Sequence, residues 1–534
     1  MTTNNPAGNP LAGPIADGKR GRRLLYEASR KVDGQLDAPL DAQAGRQEHA
    51  EASLLLRSAL PLLKNDPDAL RECAQICEKI RDWTAAEQTF HFLDALEPES
   101  DHQASIAAAL YNQRRFHEAL DHFEHYARRR PDAVPAWLNI CACLLALGRL
   151  EEAVSRLRHW VILKPDDQRV HQALGFMLIH LHEHEEAGQV IQHMLKTFPE
   201  NPPLRSLAGK HYLRCGDYAR GFDYYRSRWT REPTSQPTLN IPCMTWDGRW
   251  FEGTLLIAAE KALGEEVLAS SMFGDLVTLK QRAIIECDPR LLTIFRRSFP
   301  ALEFVPRGKG LLAYLVETGD PSLYRKVDAG DLGFFFRRDG RFPERKGWLT
   351  PDPDRVAAIR SRYRKLFGNR LLVGFGWKSF RPKIDEDYEK NIDIVSLSTL
   401  LIRDDVAGIN LQYGDIESDI ARLKRQAGTV LYCDPEIDAS NDIDGQAAQI
   451  AALDVVISTS NSAVHLAGAL GAPCWLLLRK KQPLMWYWGY PGVPCLWYSS
   501  IDIIRITHPF GGQEQLASII DELHQKLDFL RAGK

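Results

Sequence analysis

Small residues recur every 34 positions along the first half of the chain. One series consists of Ala85, Ala119, Ala153, Ala187 and Gly221. A second series precedes it by twelve positions and consists of Cys73, Ala107, Cys141, Gly175 and Gly209. Large apolar residues lie nine positions before each member of the first series, at Ile76, Leu110, Leu144, Leu178 and Tyr212. Small residues let two helices cross closely, so the pattern predicts one pair of antiparallel helices per repeat.

Proline marks the end of each predicted pair. It recurs on the same 34-residue step at Pro131, Pro165, Pro199 and Pro233. Proline ends a helix because it lacks a backbone donor and its ring clashes with the preceding turn. The whole pattern resembles the tetratricopeptide repeat, with five copies over 65–234 and a leading half repeat at 50–63. The resemblance implies a curved solenoid whose concave face holds a protein segment. The alternative is an array that only braces the next domain or a dimer interface.

After Pro233 the apolar runs shorten and alternate with helical patterns. The first such unit is predicted to contain strands 255–259, 283–287 and 302–306 and helices 265–279 and 289–299. A less regular stretch, 309–350, leads to a second unit. That unit is predicted to contain strands 371–375, 408–412, 430–433, 455–458 and 473–478 and helices 352–367, 416–426, 445–453 and 462–470, with a further helix at the end of the chain.

Strands that alternate with helices favour parallel sheets covered by helices. Two consecutive units of this kind predict two Rossmann-like lobes facing one cleft, with ligands beyond the carboxyl ends of the strands. The expected class is therefore α plus α/β, an α-solenoid followed by two α/β lobes. The predicted domains are a Gly- and Pro-rich flexible tail (1–45), the solenoid (46–234), a first lobe (235–350) and a second lobe (351–534).

Composition excludes several other classes of protein. The chain has 534 residues, 67 Lys and Arg against 70 Asp and Glu, and a net charge of −3, so it has no basic footprint for nucleic acid. It contains no run of 18 apolar residues and no apolar core of signal-peptide type at its start, which predicts a cytoplasmic protein. Ten scattered cysteines predict buried free thiols in a reducing compartment. No metal-binding constellation stands out; His180, His182 and His184 have strand-like spacing in a predicted helix.

The segment 455–478 carries the sharpest chemical signal. An apolar strand ends at Ser458 and small polar residues then open a helix. The free N–H groups and the dipole of such a helix start make an anion site. Ser460, Asn461 and Ser462 offer further hydrogen bonds, and His465 lies one turn into the helix. The alternative is ordinary capping with His465 packed in the core.

This segment resembles the nucleotide-sugar site of GT-B glycosyltransferases, notably the heptosyltransferase-like and O-GlcNAc-transferase-like families. The match includes the strand, the polar turn and the run HLAGALG with Pro473 after it. Upstream, 441–458 resembles the family's acidic turn and helix, and 485–500 resembles its Trp-rich loop, except that Tyr487 stands where the family usually has Arg. In the first lobe, 260–276 resembles the family's Gly-Leu-Gly-Asp-Glu loop, with Glu265 in place of Asp.

The resemblance implies a role for each candidate residue. Transfer to a hydroxyl needs a base, for which Glu265 or Glu266 is expected, unless both only favour the helix start electrostatically. Gly264 lets the backbone approach the substrate. The donor-binding candidates are Lys378 and Lys390 for phosphate, Gln412 and Tyr413 for the base or ribose, and Ser460, Asn461, Ser462 and His465 for the diphosphate. Tyr413 is equally compatible with packing at a lobe edge. GT-B enzymes generally use no bound metal, so no cofactor or metal is expected beside the nucleotide-sugar substrate.

The combined pattern predicts a glycosyltransferase whose repeats present a protein acceptor, with transfer to a Ser or Thr hydroxyl. Enzymes of this architecture include flagellin-modifying ones, so flagellin is the first acceptor expected by analogy. One alternative is a non-catalytic repeat adaptor with a degenerate transferase module. Another is a transferase acting on lipopolysaccharide or another glycan. Repeat solenoids often dimerise, but no residue decides between a monomer and a homodimer.

Overall fold

The computed structural model describes residues 12–33, 43–231, 241–308, 311, 320–344, 347–379, 391–479, 485–493, 495–506 and 513–533. The chain forms two compact units, Met1–Met177 and Leu178–Lys534. The boundary falls inside the helix Gln168–Leu181, so the last repeat belongs to the same unit as the α/β lobes. This repeat buries aromatic side chains against the lobes, among them Phe222 and Tyr225.

The first unit consists of helices arranged in pairs. They are α1 (Ala12–Asp33), α2 (Gln43–Leu63), α3 (Pro67–Ile80), α4 (Trp83–Leu96), α5 (Gln103–Asn112), α6 (Phe116–Arg129), α7 (Val134–Ala146) and α8 (Leu150–Leu163), followed by α9 (Gln168–Leu181) across the unit boundary. The small residues of both series are buried where paired helices cross, as at Cys73 and Ala85. The predicted repeat is therefore confirmed in the pairs α3 and α4, α5 and α6, and α7 and α8.

The expected flexible tail, 1–45, needs correction over 12–33. These residues form α1, which packs against α2. Leu25, Ala28 and Val32 are buried because their spacing places them on one face of the helix. The leading half repeat is thus a full pair of helices.

The second unit contains the remaining repeats and both α/β lobes. Its helices are α10 (His184–Thr197), α11 (Pro202–Arg214), α12 (Tyr218–Tyr225), α13 (Leu263–Ser270), α14 (Phe273–Thr278), α15 (Leu292–Ser298), α16 (Leu332–Phe336), α17 (Pro353–Phe367), α18 (Ser398–Leu401), α19 (Glu417–Ala427), α20 (Ile443–Ala452), α21 (Ser462–Leu470) and α22 (Gln513–Ala532). One apolar core joins α11, α12 and both lobes and includes Phe222, Tyr225 and Trp486.

Each lobe is built on a parallel five-stranded sheet. The first sheet has the order β1-β5-β2-β3-β4, with strands β1 (Met244–Thr245), β2 (Thr254–Ala258), β3 (Arg282–Cys287), β4 (Glu303–Pro306) and β5 (Tyr324–Asp328). The second has the order β10-β9-β8-β6-β7, with strands β6 (Leu371–Gly376), β7 (Val406–Asn410), β8 (Val455–Ser458), β9 (Cys474–Arg479) and β10 (Ile501–Ile506). The predicted architecture, helical repeats followed by two α/β lobes with parallel sheets, is confirmed.

Local differences from the predicted elements are few. Strands β1, β5 and β10 are additional to the predicted set, and the expected strand 430–433 contributes only a single bridge, from Tyr432 to Ile409. The predicted helix 265–279 is split into α13 and α14 around Ser271 and Met272. In the part of the chain that the structure describes, no helix has both the length and the apolar character needed to cross a membrane.

Candidate functional site

In each sheet the strand order reverses between two neighbouring strands. Ligands of such folds bind beyond the carboxyl ends of that pair. In the first sheet the pair is β2 and β5, which end at Ala258 and Asp328. The crevice beyond them holds Glu260, Gly330 and Asp331. In the second sheet the pair is β6 and β8, followed by 377–378 and 459–461. Of the sequence candidates, Lys378, Ser460 and Asn461 lie at the crevice of the second lobe.

Asn461 organises the crevice of the second lobe. Its Oδ1 accepts hydrogen bonds from the backbone N–H groups of Ala463 (3.1 Å) and Val464 (3.4 Å), which caps α21. Its Nδ2 donates to the carbonyl of Lys378 at 3.2 Å and so joins the loops that follow β8 and β6. Ser460 accepts from Trp488 Nε1 at 2.9 Å. Ser462, the first residue of α21, is half-buried.

Lys378 brings a positive charge to the same crevice. Its Nζ forms an ion pair with the buried carboxylate of Asp419, which also accepts from Trp377 Nε1 at 3.0 Å. Gln412 fixes the backbone here, since its Oε1 accepts from the N–H groups of Trp377 (2.9 Å) and Lys378 (2.7 Å). The structure thus places Gln412 as a support for the loop that carries Lys378.

His465 is packed between the lobes and is only 4% exposed. Its Nδ1 lies 2.6 Å from the Tyr498 hydroxyl, and its ring contacts the rings of Tyr487 and Trp488. Gly264 of the first lobe lies against the other side of the ring, where a Cβ on Gly264 would stand 2.7 Å from Cδ2. This contact brings the start of α13 to α21.

The two adjacent acids at the start of α13 have different environments. Glu266 is 3% exposed, forms an ion pair with Arg307 and accepts from the N–H of Asp288 at 2.8 Å. Glu265 is half-buried and lines a cavity. Glu266 is therefore held by partners on its own lobe, while Glu265 faces the cavity.

That cavity has a volume of about 20 Å³, enough for about one water molecule. Its walls come from the last repeat, the first lobe and the Trp-rich loop; they include Phe222, Tyr225, Glu260, Glu265, Gly330, Trp486, Tyr487 and Trp497. Two carboxylates and several aromatic rings thus share one small space. Burial raises the pKa of the Tyr225 hydroxyl, on which Arg228, Glu260 and Glu265 also act electrostatically.

The last repeat holds the Trp-rich loop next to this cavity. The Tyr490 N–H donates to the carbonyl of Arg214 at 3.1 Å, and the Arg214 guanidinium lies 4.2 Å from the centre of the Tyr490 ring. Trp486 packs edge-on against Tyr225 at 5.4 Å between ring centres. The helical repeat is thus a structural part of the candidate site.

The other candidates lie apart or outside the described residues. Tyr413 is half-buried near Arg290, at the side of the second sheet, and Gly414 donates to Ser440 Oγ at 3.2 Å. Lys390 lies outside the residues that the structure describes. Within the described ranges, no three His, Cys, Asp or Glu side chains gather where they would hold a metal ion.

Several residues of the candidate site meet only in the folded chain and are not predicted from the sequence. Arg228, Glu260 and Asp331 form a buried ion cluster, and Asp419 pairs with Lys378. Glu260 lies in the loop just before α13, the helix that carries the sequence candidate Glu265, so its position was a usable signal. Arg228 follows the last repeat helix and carries no local signal of its role.

Comparison with known proteins gives three kinds of match. A tetratricopeptide repeat family model matches residues 110–175. Protein FlbA of Caulobacter vibrioides (strain ATCC 19089 / CIP 103742 / CB 15) is 31% identical over 301 residues, which cover 53% of this chain and 50% of FlbA. The chain therefore spans about half the length of this curated relative.

Solved structures of low identity also align with parts of the chain. The E. coli ADP-heptose LPS heptosyltransferase II aligns over 52% of this chain and 99% of its own, with 13% identity and a TM-score of 0.38. A glycosyl transferase family 9 protein from Veillonella parvula DSM 2008 aligns over 53% and 99%, with 11% identity and a TM-score of 0.39. The tetratricopeptide repeat model thus matches the segment 110–175, which contains helices α6 to α8.

Proposed function

We propose that this chain is a cytoplasmic glycosyltransferase that moves a sugar from a nucleotide-sugar donor to a Ser or Thr hydroxyl of a protein acceptor. The observation that carries the proposal is that a crevice lined by carboxylates lies next to a crevice that holds a lysine and a helix start. The contact between Gly264 and His465 joins the carboxylate-lined crevice of the first lobe to the crevice of the second lobe that holds Lys378 and the start of α21.

The second-lobe crevice suits a diphosphate. Lys378 supplies a positive charge, and the start of α21 supplies the positive end of a helix dipole. When the bond between the sugar and the diphosphate breaks, negative charge builds up on the leaving oxygen. Groups fixed in place beforehand stabilise that charge without reorganisation. We therefore assign the donor to this lobe.

The first-lobe crevice suits an acceptor hydroxyl. The hydroxyl oxygen attacks the anomeric carbon, its proton passes to a carboxylate, and the nucleoside diphosphate leaves. Glu265 is our candidate base because it lines the cavity, whereas Glu266 is 3% exposed and is not part of the cavity wall. The substitution of Glu for the usual Asp of the loop keeps a carboxylate there.

The repeats support a protein as the acceptor. Stacked helix pairs present extended surfaces that hold peptide segments, and the last pair here forms a wall of the candidate site. Flagellin is the first acceptor to test, by analogy with enzymes of this architecture. Transfer of a labelled sugar to flagellin and to lipopolysaccharide, measured side by side, distinguishes a protein acceptor from a glycan acceptor.

A thermal-shift screen against UDP-, GDP-, ADP- and CMP-sugars tests donor binding. A ligand that binds only the folded state stabilises it by about 2.7 kcal/mol at one hundred times its Kd. We expect one nucleotide family to raise the melting temperature, and Lys378→Ala to abolish the rise. Lys424→Ala, an exposed lysine on α19, is the matched control. Absence of any shift at millimolar donor would contradict the proposal and favour a non-catalytic adaptor.

A further inference from the structure

Arg228 lies in the 3₁₀ helix Arg226–Arg231, directly after the last repeat helix. Its side chain is only 9% exposed although it carries a full charge. The guanidinium donates to Glu260 Oε1 at 2.9 Å and forms a second ion pair with Asp331. Both carboxylates are also buried, so the cluster is a charged core inside the second unit.

The two carboxylates flank the crevice of the first lobe. Glu260 follows β2 and Asp331 follows β5, the two neighbouring strands between which the strand order reverses. Glu260 Oε1 also accepts from the N–H of Gly330 at 2.7 Å. A Cβ on Gly330 would stand 2.4 Å from that oxygen and 3.0 Å from Arg228 Nη2. The guanidinium thus joins the loops that leave both strands.

The loop that leads to Glu265 is held at both ends. At its start, Arg228 binds the Glu260 side chain and Arg307 donates to the Glu260 carbonyl at 2.5 Å. At its end, Glu266 is bound by Arg307 and by the Asp288 N–H. Arg228 directly follows the repeat region, whereas Arg307 and Asp288 belong to the first lobe itself.

We propose that Arg228 is a positioning residue of the transferase site, through which the last repeat fixes the loop that presents Glu265. The inference rests on the proposed function for its catalytic consequence. Without the guanidinium, Glu260 and Asp331 would be two buried carboxylates without this partner, in the same crevice as Glu265. Their mutual repulsion would displace the loop, because buried like charges have little solvent to screen them.

The test compares Arg228→Gln with Arg220→Gln, which removes an exposed arginine from the same repeat. Hydrogen–deuterium exchange needs no substrate and reports directly on the loop. We expect faster exchange over 259–270 in Arg228→Gln and wild-type exchange there in Arg220→Gln. Unchanged exchange in Arg228→Gln would overturn the inference.

The second readout is turnover, measured as nucleotide released while the sugar passes from a UDP-, GDP-, ADP- or CMP-sugar to flagellin. A misplaced base lowers kcat by about 100-fold when the displacement approaches 1 Å. The donor KM stays within about twofold, because the donor groups on the second lobe are untouched. Equal kcat values for Arg228→Gln and wild type would overturn the inference even if exchange changed.

The two readouts separate this inference from the proposed function. A wild-type protein that binds and releases no nucleotide-sugar contradicts the proposed function, while the exchange measurement still decides whether Arg228 fixes the loop. If Arg228→Gln does not fold, Arg228→Lys carries the same comparison. Lysine keeps a positive charge but lacks the planar fork that binds two carboxylates, so we expect faster exchange over 259–270 and a kcat below that of wild type. Wild-type exchange and kcat in Arg228→Lys would overturn the inference.

Discussion

Gly264 lies against the ring of His465, so that a methyl group added to the glycine would stand 2.7 Å from Cδ2 and 3.1 Å from Nε2 of the imidazole. The two residues belong to different lobes. The sequence suggests both as substrate-binding groups, one by its small size and the other by its position after a polar turn. In the fold, this contact places α13, the helix that carries Glu265, next to α21, which begins at Ser462.

Gly264→Ala is expected to destabilise the protein because the added methyl group overlaps the ring of His465. Inserting a methylene-sized group into a close-packed site typically costs about 1–3 kcal/mol. Urea unfolding of the variant measures this cost. Gly18→Ala is a matched control, since a Cβ there meets nothing within 4 Å. Equal midpoints for Gly264→Ala and wild type would contradict the close contact.

Lys378→Ala is expected to weaken donor binding because the diphosphate loses a charged partner, an effect of about 1.5–3 kcal/mol. The substitution also leaves the buried carboxylate of Asp419 without its lysine. The double variant Lys378→Ala/Asp419→Asn removes that complication. Titration calorimetry with the donor found by thermal shift measures the change. Wild-type affinity in the double variant would remove Lys378 from the donor site.

Glu265→Gln and Glu266→Gln are expected to change different properties, turnover in the first variant and stability in the second. Glu265→Gln lowers kcat and leaves stability and donor affinity near wild type, because its carboxylate faces the cavity. Glu266→Gln lowers stability by about 1.5–3 kcal/mol, because it weakens charged hydrogen bonds to Arg307 and the Asp288 N–H. Turnover and urea unfolding of both variants provide the comparison. Full turnover by Glu265→Gln would place the base elsewhere.

Acid is expected to destabilise the second unit through His211. Burial, together with the smaller electrostatic effects of His184 and Arg214, lowers the pKa of His211 from 6.5 to about 4. The folded state therefore binds the proton less well than the unfolded state. The free energy of unfolding falls as the pH drops from about 6.5 to about 4, and the total loss from this one group is about 3 kcal/mol.

The comparison of His211→Gln with wild type isolates this effect. Urea midpoints at pH 7 and pH 4.5 are expected to differ less in His211→Gln than in wild type. His117→Gln changes a histidine of the first unit that lies at the surface and serves as the control. An equal loss of stability in all three proteins would show that His211 does not account for the acid sensitivity.

Several elements are predictable from the sequence to the residue. Strand β8 and helix α21 begin and end where the sequence predicts them, at Val455–Ser458 and Ser462–Leu470. A fully apolar strand, a polar capping turn and a glycine at the helix end are all local signals, and they agree with one another. The 34-residue repeat is equally clear because each copy repeats the same burial pattern.

Other elements carry no such signal. Strand β5 (Tyr324–Asp328) is short and contains Arg325 and Lys326, so its sequence does not read as an apolar strand. It forms because β1 and β2 pair with it on both sides. Helix α1 has a regular apolar face, but the Gly- and Pro-rich composition around it conceals that face.

The helix pairs, most strands and the polar residues at the start of α21 are predictable from the sequence, since spacing and capping act over a few neighbouring residues. Which of those residues share a site is visible only in the folded chain. Arg228 reaches Glu260, and Gly264 reaches His465, through contacts between distant parts of the chain. The physical reason is that burial and charge pairing depend on the packing of whole elements.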